Sequence, residues 1–224
     1  MNMYWGIFLL TMLASWLVSA LFQSRMKKYS AIHTSMTGKE VAERMLRENG
    51  ITDVKVVCTG GILTDHYNPT NRTVNLSQDV YEGATLAAMA VAAHECGHAV
   101  QHAVGYAPLR MRSALVPIVN FSARWVMWVI LAGMLVLQTF PQLMLLGIIL
   151  FALTTLFSFI TLPVEINASM RAISWMEESM LVSRDDLPKA SAALRAAAYT
   201  YVVAALSSLA TLLYYIAIYS GSRR

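Results

Sequence analysis

Long uncharged stretches alternate with charged segments along the chain. Residues 3–22, 125–164 and 196–222 carry no charge at all. A helix of about 20 apolar residues crosses the roughly 30 Å hydrocarbon core of a membrane. Forty helical residues would extend about 60 Å, so we interpret 125–164 as two helices joined by a turn near 138–142. The pattern predicts about four transmembrane helices.

The charges that flank the first stretch decide what kind of span it is. Arg25, Lys27 and Lys28 follow the apolar run. A cleaved signal peptide carries its charges before the apolar run instead. We therefore expect residues 1–24 to form a retained transmembrane anchor.

The later spans are bounded in the same way. We expect the helical hairpin over 114–162, with a first helix that begins near Pro117. Arg124 would then extend toward a headgroup or face protein. The last helix and tail are expected over 196–224. Tyrosines, which favour membrane interfaces, lie toward the two ends of this last span: Tyr199, Tyr201, Tyr214, Tyr215 and Tyr219.

The region 25–113 has the mixed pattern of a small α+β domain. Thr37 followed by Glu40 is typical of a capping box, and Gly50 is a typical helix terminator. These signals predict a helix over 38–48.

Three candidate strands and a long helix follow. Residues 54–58 form a short β-type run, and 62–67 and 72–76 flank a turn signal at 68–71. Residues 83–105 are rich in alanine and predict a helix. The fold class is therefore a mainly α membrane protein with a small α+β domain that contains a short hairpin or sheet.

Composition agrees with a membrane protein. Of 224 residues, 57% are hydrophobic and 13% are charged, whereas soluble domains carry about a quarter charged residues. The net charge is +4, but the membrane explains where the basic residues lie, so we expect no nucleic-acid partner. Two cysteines, Cys58 and Cys96, do not make a disulfide framework, and we interpret them as unpaired thiols.

The basic residues also predict the orientation. Segment 23–124 contains eleven Lys or Arg and segment 163–195 contains four, while the 138–142 turn contains none. Positively charged segments remain in the cytoplasm, so both segments are expected there and the N-terminus outside. Arg223 and Arg224 would then lie outside, against the rule. These two charges do not outweigh the fifteen in the two segments, so the predicted orientation stands.

The helix predicted over 83–105 carries an H-E-x-x-H motif, His94-Glu-Cys-Gly-His98. Residues four apart lie on one helix face, roughly 6 Å apart along the axis. Both imidazoles can therefore bind one Zn²⁺, with Glu95 beside the metal-bound water. The alternative is a helix with two hydrogen-bonded histidines and no metal.

A catalytic zinc site needs a third protein ligand. His102 lies eight positions beyond His94, about 12 Å of helix rise, which is too far for one ion. Glu165 is the better candidate, because it begins an expected cytosolic helical segment over 163–195 and a carboxylate there needs a cation. From spacing alone, Glu165 could equally be an ordinary carboxylate at the membrane surface beside Arg171, without a role in metal binding.

Three segments together resemble a known family: 61–67, 94–102 and 163–169, with the sequences GILTDHY, HECGHAVQH and PVEINAS. They are similar to the neutral zinc metallopeptidases of the YugP-like kind, which are small bacterial integral-membrane proteins. More distantly, they resemble the membrane gluzincins. The resemblance covers nearly the whole chain, and it implies Glu165 as the third zinc ligand.

One position departs from the gluzincin pattern. An Asp often follows the ligand Glu by four residues, and this chain has Ser169 there. Asn167 and Arg171 are nearby polar alternatives as outer partners of the metal site, although Arg171 could equally be a surface charge. Three further residues are candidates for holding the oxyanion or supporting the site: His66, Tyr67 and His102.

These features predict a membrane-embedded zinc metalloendopeptidase. A zinc-activated water would lose its proton to Glu95 and attack the peptide carbonyl, and Glu95 would then protonate the leaving amine. The strands around 62–77 could offer a sheet edge to an extended substrate, or could merely pack on the motif helix. We expect membrane-associated or misfolded proteins as substrates.

Two alternatives remain open at this stage. A non-enzymatic membrane scaffold would close a structural metal site with a fourth ligand such as His66 or His102. Intramembrane cleavage would place the 83–105 helix at bilayer depth, where its polar residues are costly.

The expected partners are the lipid bilayer, a protein or peptide substrate, and a membrane protein or second copy of the chain. The expected location is the bacterial cell (inner) membrane, multi-pass, with the site facing the cytoplasm.

Overall fold

The computed structural model describes residues 2–222, with side chains from residue 5 onward. Arg223 and Arg224, which opposed the predicted orientation, lie outside the described residues. The described elements follow in the order α1 (Asn2–Tyr29), α2 (Gly38–Glu48), β1 (Lys55–Thr59), β2 (His66–Asn68), β3 (Thr73–Ser77), α3 (Gln78–Tyr81), α4 (Leu86–Ala103), α5 (Ala107–Leu135), α6 (Pro141–Glu178) and α7 (Leu187–Gly221).

Four of the described helices are long and apolar enough to cross a membrane. They are α1 from Trp5 onward, α5, α6 and α7. The predicted number of spans and the fold class, mainly α with a small sheet, are confirmed. Helix α4, which carries the H-E-x-x-H motif, is not among these four.

Two expected helix starts are wrong, and in each case the expected start lies at or beside a proline that the helix contains. Helix α5 begins at Ala107, and Pro117 lies inside it. Helix α6 runs without a break through Pro163, so Glu165 belongs to the same helix as the third span and does not begin a new one. Proline costs one backbone hydrogen bond inside a helix, but long apolar helices tolerate that loss where neighbouring groups compensate.

The chain divides into two compact units. Of the described residues, the helical unit contains 2–17, 110–162 and 200–222, and the α+β unit contains 18–109 and 163–199. Long helices therefore contribute residues to both units.

Within the helical unit, α5 and α6 form the predicted hairpin. Helix α5 ends at Leu135 and α6 begins at Pro141. A Cβ added to Gly133 would lie 2.7 Å from the backbone of Met144, so the two helices approach closely there. Small residues permit such close helix packing in membranes.

In the α+β unit, the capping box predicted at the start of α2 is confirmed. The Thr37 hydroxyl accepts a hydrogen bond from the Glu40 backbone N–H, and Glu40 in turn accepts one from the Thr37 N–H. One face of α2 is fully buried in the core through Val41, Ala42 and Met45.

The sheet has the strand order β1-β3-β2. Strand β1 pairs with β3 in parallel, and β2 pairs with β3 as the predicted antiparallel hairpin. The strand expected over 62–67 begins only at His66, because Gly61 and Leu63 have φ angles of 103° and 56°. Such left-handed angles are incompatible with an extended strand.

The helix expected over 83–105 is shorter at both ends. A Cβ added to Gly83 would overlap the Asp79 carbonyl oxygen, so the chain turns sharply between α3 and α4. Thr85 then caps α4, because its hydroxyl accepts a hydrogen bond from the Ala88 N–H. The helix ends at Ala103.

Candidate metal centre

Helix α4 presents two histidines on one face. The ring centroids of His94 and His98 lie 4.9 Å apart, with the rings nearly perpendicular. Alanine, the best helix former, dominates this segment and lets the helix pack closely on its neighbours. The motif helix is consequently buried along most of its length.

Helix α6 brings Glu165 to this pair. Its Oε2 lies 3.3 Å from His94 Nε2 and 3.5 Å from His98 Nε2. The three potential ligand atoms all lie within 4.8 Å of one another. The two helices can approach because position 97 is glycine: a Cβ there would lie 2.5 Å from the Ala168 carbonyl oxygen.

The burial and charge of this cluster favour a cation. Glu165 is 3% exposed and His98 is 7% exposed. Burial alone would lower the pKa of His98, but the hydrogen bond with Glu165 and the charges of Glu95 and Glu165 outweigh it and raise that pKa above its usual value. The negative environment that raises this pKa also attracts a metal ion.

The donor set fits zinc. Two imidazole nitrogens and one carboxylate oxygen are a common catalytic zinc set, and they leave a fourth position for water or substrate. The other ring nitrogen of each histidine has a polar neighbour: Ser169 Oγ lies 3.1 Å from His94 Nδ1, and Gln101 Oε1 lies 3.0 Å from His98 Nδ1. These contacts direct both Nε2 atoms toward Glu165, as in metal-binding histidines.

Glu95 is held beside the cluster by the sheet. It is 8% exposed, and its Oε2 accepts a hydrogen bond from the Tyr67 backbone N–H at 3.0 Å. The Tyr67 hydroxyl lies 2.7 Å from His102 Nδ1. Strand β2 is thereby connected to α4 both at the motif and one turn beyond it.

The remaining candidates from the sequence lie at different places around the cluster. Asn167 Oδ1 accepts hydrogen bonds from Gln101 Nε2 at 3.0 Å and from Arg171 Nε at 2.8 Å, so both residues join the network around His98. The exposed His66 ring interacts with the Thr64 carbonyl through Nδ1.

A closed structural metal site would need a fourth protein ligand. Among the described residues, the cluster that could hold a metal contains three members, and neither His66 nor His102 belongs to it. Cys96 is also unsuitable, because burial raises the pKa of its thiol and its Sγ faces the Ala42 carbonyl. Both cysteines are free thiols, as predicted.

Sequence reasoning missed two residues that shape this site. Gly97 allows the two helices to meet, and Gln101 contacts His98. The spacing of Gln101, three residues after His98, was a usable signal because i and i+3 side chains are neighbours on a helix. Nothing local marks Gly97, since its role depends on the partner helix.

A glutamate from a later helix meets the two histidines of the H-E-x-x-H motif, and four of the described helices are long enough to cross a membrane, which is the arrangement expected of a membrane metallopeptidase. A family model described as "Putative neutral zinc metallopeptidase" matches residues 4–220, and the chain belongs to this family. It is 43% identical over 203 residues to the "Putative membrane protease YugP" of Bacillus subtilis (strain 168), covering 90% of this chain and 89% of the relative. No solved structure gives a significant match.

Proposed function

We propose that this protein is a zinc-dependent endopeptidase of the bacterial cell (inner) membrane. Its metal ligands are His94, His98 and Glu165, and Glu95 is its catalytic base. The observation that carries the proposal is the convergence of these three ligand atoms within 4.8 Å, beside a buried Glu95 carboxylate whose charge acts on His98. The family membership and the membrane-protease relative support it.

The side chains around the metal have separate tasks. When bound, zinc supplies Lewis-acid chemistry, polarising a carbonyl and making water a better nucleophile. Glu95 accepts the proton of that nucleophile and returns it to the leaving amine. The Tyr67 N–H keeps the Glu95 carboxylate in position for both transfers.

Strand β2 is the proposed docking place for an extended peptide. It lies at the end of the three-stranded sheet and directly beside Glu95. Backbone pairing with such an edge binds peptides of varied sequence, and here it would use backbone groups of β2 other than the Tyr67 N–H, which donates to Glu95. The side chains of Tyr67 and His102, which contact one another on this side of α4, are proposed donors to the carbonyl oxygen during the reaction.

The membrane restricts which substrates reach the site. With the basic segments 23–124 and 163–195 in the cytoplasm, the metal centre would face that side. Membrane-associated and misfolded proteins are the proposed substrates, and a second copy of the chain or another membrane protein is a proposed partner.

Cleavage of a denatured membrane protein by the purified full chain in detergent tests this proposal. Product formation should stop on chelation, return with added Zn²⁺, and fall about 10²- to 10⁴-fold in Glu95→Gln. Glu82→Gln is a suitable control, because Glu82 follows the separate short helix α3. Equal activity in untreated, chelated and Glu95→Gln protein would contradict the proposed mechanism.

A further inference from the structure

Gln101 is a polar side chain without any exposure to solvent, one turn beyond the H-E-x-x-H motif. Its Nε2 donates to the Val164 carbonyl at 2.8 Å and to Asn167 Oδ1 at 3.0 Å. Its Oε1 lies 3.0 Å from His98 Nδ1. Each of these three hydrogen bonds therefore reaches a histidine of the cluster or the helix that carries Glu165.

The chemistry of these partners determines which way the Gln101 amide points. A backbone carbonyl only accepts hydrogen bonds, so the amide nitrogen of Gln101 must face Val164. Asn167 is oriented independently: Arg171 Nε only donates, so Asn167 presents its oxygen to Arg171 and to Gln101. The Gln101 oxygen is thereby left facing His98 Nδ1.

An amide oxygen cannot donate, so the hydrogen bond requires a proton on His98 Nδ1. In the neutral ring, Nε2 then carries the lone pair, and Nε2 is the atom that faces Glu165. A metal ligand needs that lone pair, and its orientation depends on the partner of the other nitrogen.

We propose that Gln101 is a positioning residue that selects the metal-binding tautomer of His98, with the Val164 carbonyl and the Asn167–Arg171 pair fixing its polarity. This inference rests on the proposed zinc site. It assigns to a neutral amide the role that a carboxylate or a backbone carbonyl often has beside a metal-bound histidine.

Two substitutions of similar size separate this role from simple packing. Both Gln101→Glu and Gln101→Met remove the donor to Val164 and Asn167, but only Gln101→Glu retains an acceptor for His98 Nδ1, whereas Gln101→Met retains volume alone. If the residue only fills space, Met should be tolerated and a buried Glu should be harmful. The positioning role predicts instead that Gln101→Glu binds zinc more tightly than Gln101→Met. Gln78→Glu and Gln78→Met, at an exposed position in the same unit, are matched controls.

The measurement is Zn²⁺ affinity by competition with a chromophoric chelator on the full chain in detergent, beside thermal unfolding of the metal-free protein. We expect Gln101→Met to bind zinc about 10- to 100-fold more weakly than the unmodified chain, with Gln101→Glu clearly closer to it. Affinities of both Gln101 variants within about threefold of the unmodified chain, or weaker binding by Glu than by Met, would overturn the positioning role. Failure of the unmodified chain to bind zinc would overturn the proposed function and this inference together.

If neither variant folds, the unmodified chain decides the question. Histidine ¹⁵N chemical shifts distinguish a proton on Nδ1 from one on Nε2. In the metal-free protein, at a pH where the His98 ring is neutral, we expect its resonances, assigned by their loss in His98→Asn, to show the proton on Nδ1 and none on Nε2. A neutral ring that carries its proton on Nε2 would refute the assignment.

Discussion

Both histidines of the cluster have neutral polar neighbours at their outer ring nitrogens. Ser169 Oγ lies 3.1 Å from His94 Nδ1, at the position where the gluzincin pattern often has an Asp. A hydroxyl can still accept the Nδ1 hydrogen bond, but it adds no negative charge. The expected consequence is a histidine that is oriented as in related sites, with less electrostatic enhancement of its affinity for metal.

Ser169→Ala tests this at the level of one side chain. Loss of the hydroxyl leaves His94 Nδ1 without this neighbour, so zinc affinity should fall by roughly tenfold or more. Competition with a chelator measures the change. Ser174→Ala, at an exposed position further along α6, should leave the affinity unaltered; a Ser169→Ala affinity equal to that of Ser174→Ala would show that the contact is unimportant.

At the scale of the secondary-structure elements, the metal centre depends on the close packing of α4 against α6. On α6, Ala168 stands between Glu165 and Ser169, the two residues that contact the histidines. Gly97 lies against the backbone carbonyl of Ala168. A methyl group there would meet backbone that cannot rotate away, so the helices would have to separate. Such overpacking typically costs about 1–3 kcal/mol.

Gly97→Ala should therefore reduce both thermal stability and zinc affinity. Gly60→Ala is its control, because a Cβ at Gly60 has open space around it. Thermal unfolding in detergent and chelator competition measure the two effects. Unchanged zinc affinity in Gly97→Ala would mean that the close helix contact does not support the metal centre.

A second contact joins α2 to α6 and should depend on pH. Trp175 Nε1 donates to Glu48 Oε2 at 2.8 Å, and Arg44 donates to the same carboxylate. The hydrogen bond from Arg44, followed by that from Trp175, lowers the pKa of Glu48 below its usual value. A carboxyl group with a lowered pKa stabilises the fold above its unfolded-state pKa and loses that contribution as pH falls through the folded-state value.

Glu48→Gln should cost about 1 kcal/mol or less at neutral pH, since Glu48 is partly exposed. The cost should shrink as the pH falls below the ordinary glutamate value near 4.5. Denaturation curves at several pH values measure it. Glu43→Gln, which changes only a long contact with Lys39 at 3.8 Å, serves as the reference; a pH-independent cost for Glu48→Gln would contradict the assignment.

Much of this architecture could be predicted because its signals are local in the chain. The apolar stretches, the α2 capping box and the four-residue spacing of His94 and His98 need no knowledge of the partner elements. The Gly97 contact, the Tyr67 hydrogen bond to Glu95 and the role of Gln101 could not be predicted, because each depends on which helix or strand packs against α4. The continuation of α6 through Pro163 could not be predicted for a similar reason. The free-energy cost of a proline inside a helix depends on the surrounding helices, whose positions the sequence does not show.

At the scale of the whole molecule, the distribution of charge predicts its orientation in the membrane. The two basic segments hold fifteen of the 17 Lys and Arg, so both should lie in the cytoplasm. Cys58 is exposed and Cys96 is buried, which provides a native labelling site in the first of these segments.

A membrane-impermeant thiol reagent should label Cys58 in inside-out vesicles and not in intact cells. Thr139→Cys, placed in the exposed turn between α5 and α6 of a Cys58→Ser chain, should show the reverse. Labelling of Cys58 in intact cells would invert the proposed orientation and place the metal centre outside.

The most direct test of the zinc site is the metal affinity of the chain with and without its proposed third ligand. The unmodified full chain in detergent should bind one Zn²⁺ per chain. Glu165→Gln should weaken binding by about 100-fold or more, because it removes one of three ligands and its charge. Glu177→Gln, exposed on the same helix, should bind like the unmodified chain. Equal zinc affinity in Glu165→Gln and Glu177→Gln would contradict the three-residue metal centre.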